Sequence, residues 1–129
     1  MQFFIHYFLH LGFPALIAYA FFRTEWKKAY VIFLGTMLVD LDHLLATPIF
    51  EADRCSIGFH PLHSYYAIAI YTGMVFIRKP IRWIGVGLLF HMVTDLSDCL
   101  MTYRRCPACL ADAPALDLIQ MVTGILPGQ

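Results

Sequence analysis

Charge is scarce in this sequence. Charged residues fill 14% of its 129 positions, against about 25% in soluble domains. The nine basic residues balance the nine acidic ones. A chain with no net positive charge lacks the electrostatic footprint of a nucleic-acid-binding protein, so we expect no nucleic-acid partner. Internal repeats and low-complexity segments are also missing, and the length suits one domain over 1–129.

Hydrophobic residues, by contrast, make up 60% of the chain, against about 45–50% in soluble domains. Four apolar stretches approach the roughly 20 residues that a helix needs to cross a bilayer. They run over 3–22, 29–50, 62–77 and 83–101, and the third is marginal in length. The polar breaks between them are short, and short connections join neighbouring antiparallel helices. We therefore predict an all-α membrane protein with four transmembrane helices in an up-down bundle.

The two ends of the chain refine this prediction. No small-residue cleavage site follows the first apolar stretch, so we expect that stretch to be retained as a span. The tail, 102–129, contains an apolar segment over 115–126 that is too short to span. This segment is predicted to form an interfacial helix or a cap on the bundle.

Lysine and arginine are distributed unevenly between the loops. The loops after the first and third spans hold six of them: Arg23, Lys27, Lys28, Arg78, Lys79 and Arg82. The opposite end holds Arg54, Arg104 and Arg105, half as many. Because positive loops stay in the cytoplasm, we predict a multi-pass protein of a bacterial inner membrane with both termini outside.

Histidines and aspartates occupy positions where hydrocarbon is expected. They are His10 in the first span, Asp40, Asp42 and His43 in the second, His60 and His63 at the start of the third, and His91, Asp95 and Asp98 in the fourth. In an antiparallel bundle all of these positions fall at the same end, which is the predicted non-cytoplasmic one. The sequence therefore predicts one polar site at that end of the bundle.

Helical spacing places most of these residues on shared faces. Asp40 and His43 are i,i+3 neighbours, and the fourth-span residues form a stripe at i, i+4 and i+7. Asp42 lies about 200° around a straight helix from Asp40. It could support a ligand from behind, bind from an irregular segment, or face another helix. Pro14 removes the backbone donor for the carbonyl of His10 and can bend the first span there.

Energetics favour a bound cation at this site. An ionised aspartate near a bilayer centre costs roughly 2.5–3.5 kcal/mol, and no lysine or arginine lies within the spans to offset that cost. A structural Zn²⁺ contributes about 10–16 kcal/mol in small peptides. Histidine with carboxylate suits Zn²⁺, Fe or Mn better than Ca²⁺. We predict one or two ions, Zn²⁺ first, held by residues from this set: His10, Asp40, His43, His60, His63, His91 and Asp95.

Three motifs resemble those of a known family. They are the segment GTMLVDLDH over 35–43, HPLHS over 60–64 and GLLFHMVTD over 87–95. In this order they resemble the YdjM-like family of membrane-bound metal-dependent hydrolases. The resemblance implies a four-helix membrane protein with a metal site and hydrolase activity. Carried over by position, it points to Asp40, Asp42, His43, His60, His63, His91 and Asp95. Val39 replaces the usual proline and the 60/63 histidine pair is closely spaced, so the chain resembles a divergent member.

The leading functional hypothesis is a zinc-dependent hydrolase acting on a lipid or membrane-surface substrate. An ion with an open position lowers the pKa of its water to about 7, and Asp42 or Asp98 would accept the proton. A fully protein-ligated tetrahedron would count against this hypothesis. A non-catalytic structural or sensory metal site is the second hypothesis, and a non-haem di-iron oxidase is the third. A transporter is disfavoured because ligands at one end give no path across the bilayer.

The four cysteines all fall toward the predicted outer end. Cys106 and Cys109 form a C-x-x-C pair, which is a weak zinc signal without a second pair. In an oxidising compartment it could be a disulfide, and Cys55 and Cys99 could pair with each other. We favour structural disulfides. The sequence leaves the oligomeric state open.

Overall fold

The computed structural model describes residues 2–49, 51 and 53–125, and this part of the chain is helical with no strand. The α-helices are α1 (Gln2–Tyr7), α2 (Phe13–Phe21), α3 (Trp26–Thr36), α4 (Tyr65–Val75), α5 (Ile81–Arg105) and α6 (Leu116–Ile125). A π-helical turn, Phe8–Gly12, joins α1 to α2, and 3₁₀ helices cover Met37–Leu45, Pro61–His63 and Pro107–Leu110. Phe50, at the end of the second predicted span, and 126–129, at the end of the tail, lie outside the described residues.

One helix of the described chain, α5, is long and apolar enough to cross a membrane by length and composition. It contains the fourth predicted span, 83–101. The other three predicted spans coincide with shorter α-helices, two of which continue into a π-helical turn or a 3₁₀ helix. The span 3–22 matches α1, the π turn and α2. The span 29–50 matches α3 with its 3₁₀ extension, and 62–77 matches α4, which has only 11 residues. The all-α prediction is confirmed, and four spans stay a prediction.

Two glycines of α5 allow its neighbours to pack closely. A Cβ added at Gly85 would lie 2.9 Å from the Tyr71 carbonyl oxygen and 2.8 Å from the Met74 Cβ, both on α4. A Cβ at Gly87 would lie 2.9 Å from the Phe33 ring and from the Thr36 Cγ2 on α3. Glycine is required at such contacts because no other residue lets two helix backbones approach so closely. As a result α5 lies between α3 and α4.

The two loops that carry most of the basic residues meet at one end of the molecule. The Nζ of Lys79 donates to the Oε2 of Glu25 at 2.6 Å, and this hydrogen bond lowers the pKa of the Glu25 carboxyl. Close by, the rings of Phe22 and Trp83 contact edge to face at 5.4 Å. The loops after α2 and α4 are therefore neighbours, as antiparallel packing requires.

Both cysteine pairs are disulfides, and the tail caps the bundle at the opposite end. Cys55 is bonded to Cys99 of α5, and Cys106 to Cys109, so the cysteines form structural disulfides as favoured from the sequence, and the structure supplies the pairing that the sequence left open. Ile119 of α6 and Leu110 are buried against the Cys55–Cys99 region. The tail helix thus has a buried face and covers the end of the bundle. The Cys55–Cys99 disulfide fixes the loop before His60 to α5.

Candidate metal centre

Four side chains from three separate elements direct one donor atom each toward a common point. They are Asp40 of the long 3₁₀ helix, His63 of the Pro61–His63 turn, and His91 and Asp95 of α5. The two histidines are fully buried, Asp95 is nearly so, and the Asp40 side chain is 44% exposed. We call these four residues the first cluster.

The distances within the first cluster match a tetrahedral metal site. His63 Nε2 lies 2.9 Å from Asp95 Oδ2, 3.4 Å from His91 Nε2 and 3.5 Å from Asp40 Oδ1. His91 Nε2 lies 3.1 Å from Asp40 Oδ1 and 3.4 Å from Asp95 Oδ2. A tetrahedral Zn²⁺ with bonds of about 2.0–2.1 Å requires ligand atoms about 3.3–3.4 Å apart. Five of the six donor–donor distances are therefore close to those of such an ion, and the four donors all lie within 4.8 Å of one another.

Protonation alone accounts less well for this arrangement. Two imidazolium rings could neutralise two carboxylates without a metal ion. However, the Nε2 atoms of His63 and His91 face each other at 3.4 Å, so two protonated rings would oppose N–H to N–H. With a metal ion at the common point, the Nδ1–H of His63 would still donate to Asp42 Oδ2 at 3.1 Å, and the lone pair of Nε2 would face the ion.

Two further residues support the ligands of the first cluster from behind. Asp42 Oδ2 accepts hydrogen bonds from His63 Nδ1 and from the Leu62 backbone N–H, the latter at 2.8 Å. Such a carboxylate–histidine pair fixes the ring orientation and raises the basicity of a metal ligand. On the other side, His10 Nε2 lies 3.4 Å from Asp95 Oδ1, the oxygen that faces away from the cluster. Asp42 and His10 are therefore placed to orient candidate ligands of the first cluster.

Three residues form a second cluster beside the first. They are Asp42, His43 and His60, and each offers one ligand atom that lies within 4.8 Å of the ligand atoms of the other two. Asp42 Oδ1 lies 3.2 Å from His43 Nδ1, and the rings of His43 and His60 stack at 3.9 Å between centroids. The other nitrogen of His43, Nε2, bonds to Ser56 Oγ at 3.0 Å. A histidine that binds metal through one nitrogen commonly donates from the other in this manner.

His60 strengthens the case for the second cluster. Its side chain is buried, and its Nε2 has no hydrogen-bond partner within the described part of the chain. Burial, followed by the nearby imidazole of His43, lowers the pKa of His60. The ring is therefore neutral at physiological pH, which is the form that binds a metal ion. A buried nitrogen whose lone pair has no hydrogen-bond donor is expected at a site that binds a metal ion.

The 3₁₀ winding of Met37–Leu45 explains how Asp42 reaches both clusters. On an α-helix Asp42 would lie about 160° from Asp40 by the shorter way, whereas on a 3₁₀ helix the separation is about 120°. Asp40 and His43, at i,i+3, are eclipsed on the same helix. Asp40 Oδ1 is 3.6 Å from His43 Nδ1, so Asp40 lies between the clusters. A 3₁₀ helix of nine residues is unusually long.

The remaining predicted residues lie near the clusters but outside them. His10 sits in the π-helical turn, a feature frequent at functional sites, beside Asp95 rather than among the four donors. Asp98 lies one turn beyond Asp95 on α5 and belongs to neither group of donors formed by the described residues. The structure thus brings together six of the seven predicted metal ligands, together with Asp42. Their role in binding remains a prediction.

Two contacts were not anticipated from the sequence. Ser56 bonds to His43, and the Nδ1 of His10 approaches the Met37 sulfur at 3.2 Å. A serine in a polar loop carries no pattern that points to a metal site. Its position follows from the Cys55–Cys99 disulfide, which holds the preceding residue against α5.

The family comparison covers both clusters. A model described as a family of unknown function, DUF6122, matches residues 1–102. No curated protein and no solved structure matches the chain. The resemblance to YdjM-like hydrolases therefore stays a prediction, and function has to be argued from the geometry.

Proposed function

We propose that this chain, which belongs to the DUF6122 family of unknown function, is an integral membrane metalloprotein that hydrolyses a lipid-like substrate with Zn²⁺ bound at its two clusters. The observation that carries the proposal is the set of five donor–donor distances between 2.9 and 3.5 Å in the first cluster. The carboxylates of both clusters have only imidazoles as ion-pair partners within the described residues.

The two clusters differ in the number of donors, and this suggests different roles. Structural zinc sites use four protein ligands, whereas catalytic sites use three and leave a position open. The first cluster supplies four donors and the second supplies three. We therefore assign a structural ion to the first cluster and a catalytic ion to the second. A zinc ion with an open position polarises a carbonyl or phosphoryl oxygen and supplies a nucleophile at neutral pH.

Solvent exposure suggests which carboxylate handles protons. Asp42 is buried, and its oxygens face His63, Leu62 and His43. The Asp40 side chain is 44% exposed and reaches to 3.6 Å from His43. Asp42, expected from the sequence to accept the proton, is thus better suited to binding and orienting. In its place, and in place of Asp98, we propose that the exposed Asp40 carboxylate exchanges a proton between water at the second cluster and solvent.

Insertion in a membrane is supported by helix length and by the exposed surface. The helical run Trp26–Leu45 spans about 34 Å, at roughly 1.5 Å per α-helical and 2.0 Å per 3₁₀ residue, which exceeds a hydrocarbon core of about 30 Å. Large apolar side chains are exposed on several helices, among them Phe21 at 76%, Val31 at 66% and Ile70 at 63%. Soluble proteins rarely expose so much apolar surface. α4, with 11 residues, covers only part of the bilayer by itself.

A non-catalytic metal protein is the second candidate. The specific observation in its favour is that the first cluster has four protein donors, two of them fully buried histidines. A closed site of this kind stabilises a fold but leaves no position for a substrate. The two candidates therefore differ in whether the second cluster holds an ion and whether that ion is needed for turnover.

The experiment uses the full chain purified in detergent and loaded with zinc. Ions per chain are counted by plasma mass spectrometry, and hydrolysis is followed with p-nitrophenyl acetate and bis(p-nitrophenyl) phosphate. The hydrolase proposal expects two ions and measurable turnover in the wild type. It expects one ion and no turnover in His60→Ala, whereas Asp117→Asn, on an exposed position of α6, is the matched control and should behave as wild type.

Each alternative predicts a distinct result. Metal binding without turnover on any ester, amide or phosphoester would favour the non-catalytic protein. Retention of iron rather than zinc by the purified chain would favour an oxidase. Full turnover in His60→Ala would refute the assignment of the second cluster, and absence of bound metal in the wild type would refute the proposal as a whole.

A further inference from the structure

An apolar groove runs along the bundle beside the metal centre. It has a volume of about 490 Å³ and lies between α3 with its 3₁₀ extension, α4 and α5. It is open to the surface of the protein rather than enclosed. Three of its lining residues adjoin ligands of the first cluster. Val39 precedes Asp40, Leu62 precedes His63, and Leu88 lies one turn before His91. The Leu62 backbone N–H also donates to Asp42 of the second cluster at 2.8 Å, so this end of the groove reaches both clusters of the metal centre.

The groove extends away from the centre along the helices. Ile84 of α5, which lines its far part, is seven residues before His91, or about 10 Å along the helix. Ile32 of α3 lies at a similar remove from Asp40. The groove thus connects the polar site with the middle of the bundle, where the outer surface is apolar. Leu38 at its rim is 67% exposed.

The polar groups in the lining are already engaged. The Thr36 hydroxyl donates to the Phe33 carbonyl oxygen at 2.6 Å, and the Tyr71 hydroxyl donates to the Leu62 carbonyl oxygen at 3.0 Å. The other lining residues are aliphatic, apart from Gly35. An occupant therefore finds hydrocarbon contacts and few free hydrogen-bonding groups, which disfavours a peptide backbone or a sugar.

From these observations we infer that the groove binds the acyl chain of a lipid whose ester or phosphoester group lies at the metal centre. This inference rests on the proposed function and names its substrate class. A linear hydrocarbon chain with a polar end matches an open apolar groove, one end of which lies at the Asp/His clusters. The chain enters laterally from the bilayer, past the exposed rim, so that its polar end remains at the depth of the metal centre.

A pair of glycines provides a test that leaves the metal ligands unchanged. Gly35 lines the groove, and a Cβ built there meets nothing within 4 Å, so that Gly35→Leu projects a side chain into the groove. Gly73 of α4 is also exposed and helical with open space at its Cβ, and it is not among the residues that line the groove. Gly73→Leu is therefore a control of identical chemistry.

The experiment uses the full, zinc-loaded chain in detergent with a photoreactive probe, a palmitic acid that carries a diazirine on its chain. Cross-links are mapped by mass spectrometry and affinity is measured by competition with unlabelled palmitate. We expect cross-links at Leu38, Leu62 and Leu88. Gly35→Leu should weaken binding about tenfold or more, because each methylene kept out of the groove costs about fourfold in affinity. Gly73→Leu should bind as wild type. Removal of zinc with EDTA should weaken binding of the carboxylate while the cross-links stay at the same residues.

Cross-links spread evenly over the lipid-facing helices, or equal binding by Gly35→Leu and wild type, would overturn the inference. The outcome is separable from that of the proposed function. Hydrolysis of p-nitrophenyl acetate does not require the groove. An enzyme that is active but gives no cross-links in the groove would therefore refute the acyl site and leave the proposed hydrolase standing. A wild-type chain that takes up no zinc under loading conditions but cross-links at Leu62 and Leu88 would keep the acyl site and refute the proposed hydrolase.

Discussion

Replacement of Asp42 by asparagine is expected to reduce the number of bound ions from two to one and to weaken the remaining one. In the wild type, Asp42 Oδ2 accepts from His63 Nδ1 and from the Leu62 N–H, while Oδ1 faces His43. The asparagine oxygen can keep the first two bonds, and its amide nitrogen then faces His43. The second cluster therefore loses its only negative ligand, and the first cluster keeps its shape.

The magnitude at the first cluster follows from the role of Asp42 behind His63. Loss of such a supporting carboxylate typically weakens metal affinity about 10–100-fold, or about 1.4–2.7 kcal/mol. Asp42→Ala should be worse, because the fully buried His63 Nδ1–H then has no acceptor to orient the ring, which costs about 1–3 kcal/mol more. The order of zinc affinity is thus wild type, then asparagine, then alanine.

The assay is competition for zinc against a fluorescent chelator in detergent, with ions counted by plasma mass spectrometry. The exposed Asp117, changed to asparagine, controls for loss of an acid elsewhere. If Asp42→Asn still binds two ions at wild-type affinity, Asp42 neither ligates the second ion nor supports the first, and the two-cluster arrangement is wrong.

Three further outcomes follow from the fold. Gly85→Ala should lower the free energy of unfolding by about 1–3 kcal/mol, because the added Cβ clashes with α4. Gly73→Ala should raise it by about 0.5–1 kcal/mol. Equal Tm values of the two variants in detergent would contradict the close packing of α5 against α4. Cys55→Ser opens a disulfide with a sequence separation of 44, and this should lower the free energy of unfolding by about 2–4 kcal/mol. The Tm of the variant should fall, and dithiothreitol should lower the Tm of the wild type in the same way. An unchanged Tm would contradict a role of this disulfide in stability. Lys79→Ala removes the partner that lowers the pKa of Glu25. The variant should therefore be less stable than the wild type at pH 7, and this difference should disappear as the pH falls through the lowered pKa and the carboxyl is protonated. Urea titrations at pH 7 and at a pH below that pKa measure the difference, and a difference that persists at the lower pH would contradict the pair.

The gathering of polar residues at one end could be predicted because it depends only on alternation of helices. His63 at the start of one helix and His91 in the second half of another must meet if neighbours are antiparallel. The stripe at His91 and Asp95 follows likewise from helical periodicity, and both donate to one cluster. These inferences needed element order and spacing, which hydrophobic patterns provide.

The division into two clusters could not be predicted, because it depends on local winding. The segment around Asp42 contains leucine and valine at positions that suit either an α-helix or a 3₁₀ helix, so its residues do not distinguish the two. Only 3₁₀ geometry brings Asp42 to both His63 and His43. The groove was also not foreseen, since it arises from the packing of three helices rather than from any one segment.

The proposed orientation, with the metal centre outside the cytoplasm, is supported by two features that are physically independent. Disulfides persist in oxidising compartments, and Cys55–Cys99 lies at the end of the bundle that holds the clusters, one turn beyond Asp95. Positive loops stay in the cytoplasm, and the loops joined by Lys79 and Glu25 lie at the other end. Redox chemistry and membrane insertion could have pointed in opposite directions, but both favour the same proposed outer end. A centre in that position would take its zinc from the outer aqueous compartment and a lipid substrate from the outer leaflet. Thiol labelling of Cys106 in reduced, intact cells by a membrane-impermeant reagent is therefore expected to succeed, and labelling only after lysis would reverse the orientation.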